Sequence, residues 1–148
     1  MNKEVEYPIL AIDYGDIHYG ISVSDNKGIL AQPLDTISIT QNRNLNDILL
    51  EILSVVKEYK VKTILVGLPQ EFTEKHRRTT SKIQKFISKL IGMTEIPVVT
   101  CDESFSTTRA QNMLTSTGQN TKKSRGKINS IAATVFLQDF LNSNNNNK

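Results

Sequence analysis

The chain has 148 residues, 38% of them hydrophobic and 22% charged, the size and makeup of one globular domain rather than a disordered or fibrous chain. Its single cysteine, Cys101, excludes an intramolecular disulfide and a cysteine-based zinc cluster, and in the apolar run PVVTC it reads as a small core residue. No apolar run approaches the ~18 residues needed to cross a bilayer. The opening MNKEVEYPIL carries acids where a secretory signal would be basic and then apolar, so a cytoplasmic protein with no membrane partner is expected. The net charge of +3 says little alone, but its distribution is uneven. Lys75, His76, Arg77 and Arg78 form one basic cluster and Lys122, Lys123, Arg125 and Lys127 another, in stretches that read as loops or helix starts. A single such run would be solvated surface; two beside candidate carboxylates point to a polyanionic partner.

In chain order, the apolar run Ile9 to Asp13 is the first expected strand, ending on a carboxylate before Tyr14-Gly15. Gly20 to Ser24 is the second and closes in the turn sequence Asp25-Asn26-Lys27-Gly28. The third run, Ile29 to Ile39, is interrupted by Pro33, which suits an edge strand. Short turns between the three predict an antiparallel meander. From Asn44 to Tyr59 the apolar residues Leu45, Ile48, Leu49, Ile52, Val55 and Val56 recur at three- and four-residue steps, the signature of an amphipathic helix. Thr63 to Leu68 is continuously apolar, as befits a central strand buried on both faces.

After Pro69 a polar loop leads to a second helix with Ile83, Phe86, Ile87 and Leu90 on one side and Gly92 as its stop. Pro97 to Cys101 is the fifth strand, followed by Asp102-Glu103, a short helix around Ala110, Met113 and Leu114, a basic loop from Gly118 to Lys123, and a last helix from about Ser124 to Leu141. These elements predict a single domain over residues 1–141 and a disordered Asn-rich tail over 142–148. The fold class is α/β: a five-stranded mixed sheet, a three-strand antiparallel meander plus two parallel strands, flanked by helices. Crossover helices make the first, fourth and fifth strands parallel. Ligands of open α/β sheets bind outside the carboxyl ends of such strands, which gathers Asp13, the loop after Leu68 and the pair Asp102-Glu103 on one rim.

Carboxylates on a rim with lysines around them match divalent-metal-assisted phosphodiester hydrolysis, because hard cations take oxygen ligands and cationic side chains hold the backbone phosphates. Asp13 before Tyr-Gly is also an ordinary turn-initiating residue, and from local sequence the two readings weigh evenly.

The stretches DYGDIHYGISVSD, AQPLDTI, ILVGLP, DESFSTTRA and INSIAATVFLQDFL, in this order across Leu10 to Leu141, resemble the YqgF family. This family, also called RuvX, is named for Holliday-junction resolution and has an RNase H-like fold. The motifs are short; their order and spacing carry the match. The resemblance implies a bacterial cytoplasmic nuclease using Mg²⁺ or Mn²⁺, assigned mainly to maturing the 5′ end of the pre-16S rRNA. Structured RNA of that precursor, or a DNA junction, would be the partner, with ribosomal particles as further partners and a monomer or homodimer as the assembly.

Carried over by motif, the catalytic residues are Asp13, Asp102, Glu103 and Asn129. Asp13 and Glu103 are the metal ligands, and Arg77, Arg78, Lys122, Lys123, Arg125 and Lys127 contact nucleic acid. Asn129 stands where the family carries its last aspartate, so one neutral carbonyl oxygen replaces a carboxylate. It is also a residue type that caps helix starts. Further departures are His18 for the family's basic residue in the first motif, Ser104 for the usual Arg, and QEFTEKHRR after Gly-Leu-Pro. Two other functions compete: a nucleic-acid-binding factor whose catalysis is weakened at Asn129, and a nucleotide-binding relative of sugar kinases, which open on a similar Asp-x-Gly hairpin. The chain is short for the two lobes of the latter and lacks a second such motif.

Overall fold

The computed structural model describes residues 5–15, 17–68, 74–102 and 128–146. Six strands and three helices occupy them: β1 (Ile9–Asp13), β2 (His18–Ser24), β3 (Ala31–Pro33), β4 (Ile37–Ser38), α1 (Leu45–Glu58), β5 (Thr63–Leu68), α2 (Glu74–Met93), β6 (Val98–Asp102) and α3 (Ile128–Asn146). The sheet runs β3-β2-β1-β5-β6, with β4 also paired to β2. β1 is antiparallel to β2 and parallel to β5, and β5 is parallel to β6. The mixed sheet and the shared direction of the three parallel strands are therefore as the sequence predicts.

β1 lies at the centre because every residue from Ile9 to Ile12 is apolar and can be buried on either face. All four are fully buried. Alternation along the strand divides them. Leu10 and Ile12 join Ile48, Leu49, Ile52 and Val56 of α1 and Ile83, Phe86 and Leu90 of α2 in one cluster. Ile9 and Ala11 join Ala133, Phe136, Leu137 and Leu141 of α3 in another, with Cys101 and Phe140 packed against it. The half-buried Cys101 thus belongs to the α3 side of the sheet.

Local chemistry sets several boundaries. Asn44 caps α1 in a reciprocal box: its Oδ1 accepts from the Asp47 N–H at 3.0 Å, and the Asp47 carboxylate accepts from the Asn44 N–H at 2.9 Å. The turn after β2 closes on the Asp25 carboxylate, which accepts from the Ile29 N–H at 2.7 Å. Gly28 has φ +70° there, and a Cβ on it would lie 2.3 Å from the Tyr7 ring, so both backbone and space require glycine.

Three expectations are corrected. The third run is two short strands rather than one, which makes the sheet six-stranded. β4 pairs with the His18–Tyr19 end of β2 and β3 with Ser22–Ser24; between them Leu34 keeps one bond, its N–H donating to the Ile21 carbonyl at 2.8 Å, and residues 35 and 36 leave the ladder. Ile29 and Leu30, 52% and 66% exposed, belong to the turn; Pro33 does sit in a strand at the sheet's edge. Second, Gly92, the expected stop of α2, lies inside its last turn, since α2 runs from Glu74 to Met93; of the two readings of Lys75 to Arg78, loop or helix start, the helix start holds.

Third, α3 runs on to Asn146, so residues 142–146, expected in a disordered tail, are helical. Side-chain bonds hold this end: Gln138 Nε2 donates to Asn142 Oδ1 at 3.2 Å, and Asn144 Nδ2 donates to the Tyr7 hydroxyl at 2.7 Å. The helix expected around Ala110 to Leu114 and the basic loop from Gly118 to Lys123 lie outside the described residues, as does the expected start of the last helix at Ser124. No helix among the described residues is long and apolar enough to cross a membrane.

Candidate functional site

Asp13 is the last residue of β1 and is half-buried. It is level with Gly20 of β2 on one side and Gly67 of β5 on the other, and Gly67 is level with Cys101 of β6. Glycine thus stands beside Asp13 on both adjacent strands. Alternation sets Asp13 in phase with Ile9 and Ala11, on the α3 side. The chain then turns sharply into β2. A Cβ on Gly15 would come within 2.3 Å of the His18 carbonyl oxygen, a backbone atom that cannot swing away. Gly15 is therefore part of what aims Asp13.

An aromatic cluster supports the same turn from the other side of the sheet. Tyr14 meets Tyr19 edge-on at 5.3 Å and Phe86 of α2 at 5.5 Å, and Tyr19 stacks with Phe86 at 5.4 Å. Such edge and offset contacts add roughly 0.5–1.5 kcal/mol per pair beyond area burial. His18, the first residue of β2, is exposed, and its Nδ1 is 2.7 Å from the Ser38 hydroxyl of β4.

The rim receives α3 from the opposite direction. Ser130, fully buried, accepts from the Ile21 N–H at 3.0 Å and lies 3.1 Å from Thr36 Oγ1. Ile21 is the β1 partner of Ile12, one step from the Asp13–Gly20 pair. Further along, Gln138 Oε1 accepts from the Ala31 N–H at 2.9 Å and its Nε2 donates to the Ile29 carbonyl at 2.8 Å. With Asn144 reaching Tyr7, these contacts run α3 antiparallel to β1. The first described turn of α3, which includes Asn129, is thereby brought level with the carboxyl end of β1.

The other expected site residues are distributed as follows. Asp102 ends β6 in register with Leu68, one step beyond the level of Asp13. Arg77 and Arg78 lie in the first turns of α2. From Phe86, which touches Tyr14 at the rim, back to Arg78 is roughly 12 Å along the helix at 1.5 Å per residue. The basic start of α2 therefore overhangs the carboxyl ends of the strands. Glu103, Ser104, Lys122, Lys123, Arg125 and Lys127 lie outside the described residues. Among the described residues, no group of three or more His, Cys, Asp or Glu converges on a metal-sized space; Asp13 supplies a hard oxygen donor of the kind Mg²⁺ or Mn²⁺ takes.

Ser130 and the Tyr14–Tyr19–Phe86 cluster are structural parts of this site that the sequence does not reveal. Ser130 sits among Ile and Ala with nothing local to signal a partner 109 positions away.

An antiparallel unit continued by two parallel strands, an aspartate ending the central strand and a helix returning along the sheet define an RNase H-like fold. The chain is similar in fold to Thermus thermophilus RuvC solved with a Holliday junction, with a TM-score of 0.58, 12% identity, and coverage of 93% of this chain and 95% of that one. It is likewise similar to the Fowlpox virus resolvase solved with junction DNA, with a TM-score of 0.53, 13% identity, and coverage of 93% and 98%.

At the level of sequence the chain belongs to the RuvX family, whose model, described as Holliday junction resolvase, matches residues 7–143. It is 30% identical over 135 residues to a Roseiflexus sp. protein, covering 91% of this chain and 94% of the relative. A Rickettsia typhi protein is 32% identical over 135 residues, covering 91% and 85%. Both relatives carry the name "Putative pre-16S rRNA nuclease". Family and relatives are thus named for cleavage of nucleic-acid phosphodiester bonds, in agreement with the resemblance drawn from the motifs.

Proposed function

We propose that the protein is a divalent-metal-dependent nuclease that hydrolyses a phosphodiester bond at the 5′ end of the pre-16S rRNA. The observation that carries this reading is Asp13 at the carboxyl end of the central strand, flanked by Gly20 and Gly67, with the Asn129 turn of α3 brought to the same rim. Asp13 and Glu103 are the proposed metal ligands. The choice of Glu103 over Asp102 as the partner of Asp13 rests on the family motif. Asn129 contributes a neutral oxygen. Mg²⁺ or Mn²⁺ bound there would polarise the scissile phosphoryl group and lower the pKa of the attacking water.

Asp13 would hold the ion, and the Gly15 turn would limit the movement of its carboxylate. Arg77 and Arg78 on the overhanging start of α2, with Lys122, Lys123, Arg125 and Lys127, hold the flanking phosphates of structured RNA. Phosphate contacts position a substrate without reading its sequence. The relatives' names support an rRNA precursor over a DNA junction; the proposal places the protein in the cytoplasm on ribosomal particles, as one domain, monomeric or as a homodimer.

The deciding experiment offers purified protein an RNA spanning the precursor's 5′ end and, separately, a four-way DNA junction, each with Mg²⁺ or Mn²⁺. Wild type cuts the RNA. Asp13→Asn loses roughly 10³-fold in rate, the several kcal/mol a metal centre supplies to the transition state. Asn129→Asp raises the rate by restoring an anionic ligand. A wild type that binds the RNA yet cuts nothing under either metal would mean a binding factor; cutting of the junction alone would mean a resolvase.

A further inference from the structure

The buried hydroxyl of Ser130 occupies an unusual place in the sheet. β2 is paired along its outer edge by β4 at one end and β3 at the other, and at Ile21 the pairing is half made: the Leu34 N–H donates to the Ile21 carbonyl at 2.8 Å, and beyond Leu34 the chain leaves the ladder. An unpaired backbone N–H at a buried site is costly. Here the Ile21 N–H donates to Ser130 Oγ at 3.0 Å, in place of a strand. Thr36, in the departing segment, brings its Oγ1 within 3.1 Å of the same hydroxyl, and Thr134 Oγ1 donates to the Ser130 carbonyl at 2.6 Å one turn along. Ser130 therefore ties three segments together: β2, the gap between β3 and β4, and α3.

We infer that Ser130 is a positioning residue for the nuclease site, holding the Asn129 turn of α3 level with Asp13 through the Ile21 N–H. The inference rests on the nuclease reading above. Its physical basis is directionality. Apolar contacts of Ala133, Phe136 and Leu137 hold α3 on the sheet but tolerate sliding along it. Hydrogen bonds to backbone groups select a register: Gln138 at Ile29 and Ala31, and Ser130 at Ile21, the one of these nearest the rim. Ile21 faces Ile12, so the selected register is the one that sets Asn129 level with the end of β1. Displacement of a reacting or ligating group by about 1 Å is enough to cost on the order of 10²-fold in rate, and loss of a group that orients a metal ligand costs about 10-fold or more in metal affinity or activity.

The test compares the full-length chain with Ser130→Ala and with Leu137→Ala, a fully buried position on the same helix remote from the rim. Free Mn²⁺ is titrated by electron paramagnetic resonance, melting is followed by calorimetry, and RNA cleavage is resolved into kcat and KM. Ser130→Ala raises the Mn²⁺ Kd about 10-fold and lowers kcat with KM for RNA unchanged. Leu137→Ala lowers Tm at least as much and leaves the Mn²⁺ Kd at its wild-type value. Should Ser130→Ala not fold, Thr36→Val, which removes the hydroxyl's other partner, carries the same expectation with a smaller rise in Kd.

Wild-type Mn²⁺ affinity and kcat in Ser130→Ala (or, in its stead, in Thr36→Val), or an equal rise in Kd in Leu137→Ala, would reduce Ser130 to a stabilising contact and overturn the inference. A wild type that binds no Mn²⁺ overturns the metal-site reading first and the positioning role with it, so the two failures are told apart by the wild-type titration.

Discussion

The two faces of the sheet are covered by different physics. On one, α1 and α2 lie against β1, β2 and β5 through aliphatic and aromatic side chains, from Ile48, Leu49 and Ile52 to Ile83, Phe86 and Leu90. The polar bonds of α1 stay within the helix and its cap: the Asn44–Asp47 box and an Arg43–Glu51 ion pair at 3.2 Å. On the other face α3 also buries Ala133, Phe136, Leu137 and Leu141, yet it is tied at intervals to backbone groups of the sheet and its turns by Ser130 and Gln138. Burial is non-directional and scales with area; a hydrogen bond is geometric. The first face makes the domain stable. The second, which carries the proposed catalytic asparagine, is held in register.

Substitutions can break this contrast or sharpen it. The largest loss of stability is expected from Phe86→Ala, about 3–5 kcal/mol for a large buried aromatic, read by urea denaturation. It also removes the support of Tyr14, so a loss smaller than about 1 kcal/mol would mean that the aromatic cluster adds little to the first face. Ser130→Ala is expected to lose about 1–3 kcal/mol, because it leaves the Ile21 N–H buried without its acceptor. Hydrogen exchange at the Ile21 amide should accelerate while amides inside α1 keep their protection; equal acceleration in both places would dissolve the distinction between the faces. Asn44→Ala should cost about 1 kcal/mol and leave RNA cleavage unchanged, since the cap serves α1 alone.

Much of this was readable from residue order. The apolar run ending at Asp13, the 3.6-period of Leu45 to Val56 and the unbroken TILVGL run put β1, α1 and β5 where they are observed, and crossover rules gave the parallel directions. The placement of Asp13 at the carboxyl rim followed from those alone. The Ile29–Ile39 run misled because its apolar content satisfied a strand pattern. What divided it was β2 itself, seven residues long, which pairs with two short partners and admits a serine from α3 between them. The polar Asn-rich stretch after Leu141 signalled disorder, yet Asn144 finds Tyr7, a partner at the far end of the chain. The overhang of α2 was hidden because a basic N-terminal stretch reads equally as loop or helix.

The sequence by itself determined the strand that ends in Asp13, the helices that cover the sheet and the family to which the chain belongs, because periodicity and motif order are local or additive properties. Only the tertiary structure decided that α3 runs antiparallel to β1 and that Ser130 meets the Ile21 amide, level with the end of that strand. The bond joins residues 109 positions apart, and its partner is a backbone amide. A backbone amide is present at nearly every residue and leaves no trace in residue identity; folding alone selects which one a buried hydroxyl meets.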